Sequence, residues 1–99
     1  MIDSMSYIIV RSSSSGTGLE FFETTYIQFE NLTRQLENAM RQLLPMDISA
    51  SNEVDVYATT QPPYVVLNRL ASAGFKVVGA NSIADSQNRH WQIWTLNNL

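Results

Sequence analysis

The sequence contains no cysteine, which excludes a disulfide framework and any thiolate metal site. Charge is also scarce: 15% of the 99 residues are Asp, Glu, Lys or Arg, against the high charge that keeps chains disordered. The six basic residues, Arg11, Arg34, Arg41, Arg69, Lys76 and Arg89, form neither a run nor a helical stripe, and the net charge is −3. Phosphate neutralisation needs clustered cations, so nucleic-acid binding is not expected. No apolar run is long enough to cross a bilayer, and Met1-Ile2-Asp3-Ser4-Met5-Ser6 lacks the basic and apolar regions of a signal peptide. No membrane partner is expected, and the location is expected to be cytoplasmic, with the nucleus as a second possibility.

What is present fits a folded domain, since 44% of the residues are hydrophobic. The length allows one domain over residues 1–99, with residues 1–6 as a flexible lead. A domain this small buries only about 60–65% of its unfolded surface, so association with further copies is a natural source of stability.

Tyr7-Ile8-Ile9-Val10-Arg11 reads as a buried strand, and the Ser- and Gly-rich residues 12–18 as a mobile loop. Residues 19–29 are rich in Phe, Thr, Tyr and Ile, which favours a second strand. Thr25 and Gln28 offer the rival of a capping box that starts a helix early. Leu32, Leu36, Ala39, Met40 and Leu43 then fall on one face of an amphipathic helix that Pro45 ends.

Residues 46–50 suit a short edge strand. Val54, Val56 and Ala58 alternate with Asp55 and Tyr57, which predicts a half-buried strand whose Asp55 and Tyr57 face meets solvent or another subunit. Pro62-Pro63 suits a first helical turn, with Thr60 or Gln61 as cap, and Gly74 suits the left-handed position that closes the helix. Strands are expected at Phe75-Lys76-Val77-Val78-Gly79 and at His90-Trp91-Gln92-Ile93-Trp94-Thr95-Leu96, paired as a hairpin across a polar connection over residues 81–89. The fold class is thus α+β, a mostly antiparallel sheet of five to six strands with two helices.

Chemistry is harder to find. His90 is the only histidine, and a lone histidine beside Trp91 in a strand is more often packed or exposed than catalytic. Zinc needs three or four suitably spaced ligands, which one histidine and scattered carboxylates do not supply. The Ser12 to Gly18 segment lacks the Lys of a phosphate-binding loop and reads as a plain connection. The carboxylates Glu20 and Glu23 read as a solvated face. No catalytic residue, metal or cofactor is expected, which leaves binding, and Tyr57, Tyr64, Trp91 and Trp94 are the aromatic candidates for an interface.

Thr60-Gln61-Pro62-Pro63-Tyr64-Val65-Val66-Leu67-Asn68-Arg69-Leu70, followed by Gly74-Phe75-Lys76-Val77-Val78, resembles the signature of the GTP cyclohydrolase I feedback regulatory protein family. Ser6-Tyr7-Ile8-Ile9-Val10 is similar to that family's opening strand and Ile93-Trp94-Thr95-Leu96 to its closing strand. The signature residues are structural, being prolines that start a helix, aliphatics that face a core and a glycine that ends the helix. The resemblance implies a non-enzymatic regulatory subunit, assembled as a cyclic homopentamer. It would bind GTP cyclohydrolase I and mediate feedback inhibition by tetrahydrobiopterin and stimulation by phenylalanine. The family's ligand-responsive places read here Ser12-Ser13-Ser14-Ser15 and Asn88-Arg89-His90, which depart from the family pattern. Ser13, Ser14, His90 and Gln92 are the polar groups expected near such an interface. The alternative is an oligomeric small-molecule-sensing or interaction domain of the same fold that acts on a different enzyme.

Overall fold

The computed structural model describes residues 7–14, 24–29, 48–53, 56–84, 86 and 89–97. The described elements run in the order β1 (Tyr7–Ser14), β2 (Thr25–Phe29), β3 (Ile48–Ala50), β4 (Val56–Thr59), α1 (Pro63–Ser72), β5 (Lys76–Ala84) and β6 (His90–Asn97). All six described strands form one antiparallel sheet in the order β3-β4-β2-β1-β6-β5. The α+β class and the β5–β6 hairpin follow the sequence reading. The expected helix of Leu32 to Leu43, the lead at residues 1–6, Val54 and Asp55 lie outside the described residues.

Register sorts the side chains onto two faces. Ile8 pairs with Phe29 and Leu96, and Val10 with Ile27 and Trp94, so these residues share the face that α1 covers. Val66 and Leu70 of α1, one helical turn apart, join Phe75 and these strands in a core whose members are 2% exposed or less. Pro63 occupies the first position of the helix, where its missing N–H costs nothing. The expected cap is corrected: the N-cap is Pro62, with no side-chain cap hydrogen bond. Thr60 and Gln61 instead belong to a tied approach, in which Thr25 Oγ1 donates to the Gln61 carbonyl (2.7 Å) and the Gln61 N–H donates to Thr59 Oγ1 (3.1 Å). Gly74 has φ +92°, the left-handed value expected of it, and the Phe75 N–H reaches back to the Leu70 carbonyl.

Four further readings change. Residues 12–14 continue β1 rather than opening a loop, because Ser12, Ser13 and Ser14 pair with Gln92, Trp91 and His90. Ser12 is buried and donates from Oγ to the Thr24 carbonyl (3.0 Å), so its hydroxyl is satisfied inside the sheet. Likewise β5 runs to Ala84, well into the segment read as a polar connection, with a bulge between Val77 and Gly79. Tyr57 pairs with Ile27, which turns it toward the core side, where its ring meets Phe29 edge-on at 5.7 Å. The capping-box alternative at Thr25 and Gln28 is overturned, since both lie in β2.

Candidate functional site

Past the reach of α1, β1, β6 and β5 run on side by side, and the two faces of this extension carry different chemistry. On the α1 side Ser14 is in register with His90, and Ser12 with Gln92, while Ala84 and Ser82 flank them on β5. Ser82 Oγ donates to Gln92 Oε1 at 3.0 Å, and His90 is exposed. The structure therefore brings Ser14, His90 and Gln92 to neighbouring positions. Ser13 is in register with Trp91 instead, and it is buried. Hydroxyl, amide and imidazole groups offer both donors and acceptors, which suits recognition of a polar ligand or a partner's rim. Among the described residues no three His, Asp or Glu side chains converge as metal ligands would.

The opposite face holds a cluster that sequence reasoning missed. Strand alternation puts Arg11, Trp91 and Ile93 on this side, and Tyr26 is in register with Arg11 on β2. The Arg11 guanidinium carbon lies 5.3 Å from the Tyr26 ring centre and 5.9 Å from that of Trp91. The two rings are themselves 6.3 Å apart and inclined at 40°. Each such cation–π contact contributes about 0.5–1 kcal/mol at an exposed site. Arg11 Nη2 also donates to Glu53 Oε2 at 2.8 Å; the two side chains are 30% and 63% exposed, so solvent screening limits this pair to about 0–1 kcal/mol. Glu53 stands on the β3–β4 turn, where its N–H donates to Ser51 Oγ (3.1 Å). An open depression of about 580 Å³ lies between this turn and Arg11, Tyr26, Ala58 and Trp91. A signal for the cluster was present in the period-2 spacing of Trp91 and Ile93, but its members are spread from Arg11 to Trp91 and only the strand order unites them.

Comparison with known proteins supports this architecture. A solved structure of a conserved kinetoplastid-specific protein from Trypanosoma cruzi superposes with a TM-score of 0.62 at 10% identity, covering 97% of this chain and 100% of that one. At that identity the likeness concerns the fold alone. No curated protein sequence matches the chain. No described helix is long and apolar enough to cross a membrane. The model of the GTP cyclohydrolase I feedback regulatory protein family matches residues 28–98, which takes in β3, β4, the Pro62-Pro63 helix start, Gly74 and the whole β5–β6 hairpin. The residues that build the fold's second half are those the family model spans, and the chain belongs to the GTP cyclohydrolase I feedback regulatory protein family.

Proposed function

We propose that the chain is a non-catalytic, cytoplasmic regulatory subunit that binds GTP cyclohydrolase I as a homopentameric ring and couples it to tetrahydrobiopterin and phenylalanine. The observation that carries this reading is the family match across residues 28–98. The register of Ser14 with His90 and the hydrogen bond from Ser82 to Gln92 support it, since they put polar residues of β1, β5 and β6 side by side at one end of the sheet. Ser13 lies behind them as a supporting residue in the β1 ladder. A regulator of this kind needs no reacting group. It works through linkage: it binds one state of the enzyme better than another, and an effector at the interface adds to that difference.

Size-exclusion chromatography with light scattering tests this on the chain alone and mixed with GTP cyclohydrolase I from the same organism, with and without each effector. An effector-dependent co-eluting complex is the expected result. A ring that ignores the enzyme under every condition would sink the reading. Replacing His90 and Gln92 together with alanine is expected to blunt the effector response while leaving the fold intact; an unchanged response would remove these residues from the interface.

A further inference from the structure

The face opposite His90 and Gln92 has a use that regulation through the polar patch does not require. Arg11 is fixed before anything binds to it, because Tyr26 and Trp91 confine its guanidinium at 5.3 and 5.9 Å. An arginine ordered in this way presents a planar fork of donors at little further entropic cost. That fork is half used. Nη2 meets one oxygen of Glu53, whereas Nε is buried and has no acceptor. Carboxylates prefer to take two parallel N–H groups of a guanidinium, and the contact Glu53 makes engages one nitrogen.

Glu53 is also weakly held, since it is 63% exposed and sits on a turn rather than in the sheet. Beside the depression over Arg11 lies a second hollow of about 240 Å³, lined by Arg11, Ile83, Trp91 and Ile93. The two hollows share Arg11 and Trp91; the first adds the polar turn residues Ser51, Asn52 and Glu53, and the second adds the apolar Ile83 and Ile93. We propose that Arg11, Tyr26 and Trp91 form a receptor for an acidic side chain followed by an apolar one on a partner protein, with Glu53 as the internal carboxylate which that segment displaces. Charge complementarity selects the occupant: the site already holds a carboxylate on Arg11 Nη2, and an incoming one takes its place. The assignment does not require GTP cyclohydrolase I to be the partner, so it can fail or stand independently of the regulator reading.

The test is an NMR titration of the purified chain with the capped peptide acetyl-Ser-Glu-Leu-Ser-amide and with its Glu-to-Gln counterpart, following the Trp91 indole N–H. The Glu peptide is expected to shift that signal and the Gln peptide to leave it in place. Glu53→Gln removes the competitor, so the variant should bind the Glu peptide about two- to fivefold more tightly than the native chain, the range set by a screened surface pair. Arg11→Gln should abolish binding, and Arg11→Lys, which keeps the charge and loses the fork, should weaken it several-fold while preserving the fold by circular dichroism. A Glu53→Gln variant that binds no more tightly, or equal binding of the two peptides, would overturn the proposal and leave Arg11–Glu53 as a structural tie.

Discussion

Strands β1 and β6 behave differently at their two ends. Near Ile8, Val10 and Leu96 one face of the sheet lies under α1, and each of these side chains is fully buried. Along residues 79–84 and around His90 the strands continue with no described element over them, and every residue of β5 is exposed. Both regions are paired in the same ladders, interrupted only by the bulge between Val77 and Gly79, so ladder formation is not what distinguishes them. The difference is apolar burial. The covered end can carry the stability of the domain, and the extension is free to vary its side chains for recognition.

The largest expected effect therefore lies at the covered end. Phe75 follows the helix-closing Gly74 and is among the largest side chains buried in the core. Phe75→Ala should destabilise by about 3–5 kcal/mol, a sum of lost transfer energy and a cavity, measured by chemical denaturation. A loss below about 1 kcal/mol would mean that the core does not depend on α1 seating against the sheet. Gly74→Ala comes next. Open space surrounds the position a Cβ would take, so the cost is the left-handed backbone alone, about 1–2 kcal/mol. Thr25→Val keeps the shape of a buried β2 residue and strips the Gln61 carbonyl of its 2.7 Å donor, for about 1 kcal/mol.

Gly74 also shows what the sequence could reveal. Pro62-Pro63 and Gly74 announce the bounds of α1 through local backbone chemistry, and those rules miss only the cap, which is Pro62 in place of Thr60 or Gln61. Residues 12–14 and 81–84 defeated the same rules, because serine, asparagine and alanine carry no period-2 signal and Ile83 stands alone among them, and it is pairing with His90-Trp91-Gln92-Ile93 that holds them extended. Tyr57 was assigned to the wrong face for a related reason. Val56 is buried as its hydrophobicity predicts, but register with Ile27 also sends the tyrosine ring inward to Phe29, on the other face of the strand. For the candidate site, His90 and Gln92 were visible as polar residues in an apolar strand. The Arg11 clamp was not, since Tyr26, Glu53 and Trp91 converge only once β1 lies between β2 and β6.

The smallest effect on stability should come from the extension, and it sharpens the contrast most. Ile83 is 51% exposed on the outermost strand, where Ile83→Lys removes little buried surface and should shift stability by less than about 0.5 kcal/mol. The same strand has Val77 and Val78 about half exposed, no proline, and no charge after Lys76, so it lacks most devices that keep a sheet edge from pairing. Its other protection, the bulge, sits at the Val77 end and leaves residues 79–84 regular. If copies of this chain assemble through that edge, a lysine there should lower the mass seen by light scattering while the melting curve of the domain hardly moves. A variant that keeps its full mass would free the β5 edge from self-association, and one that unfolds would show that the extension contributes more to the core than its exposure indicates.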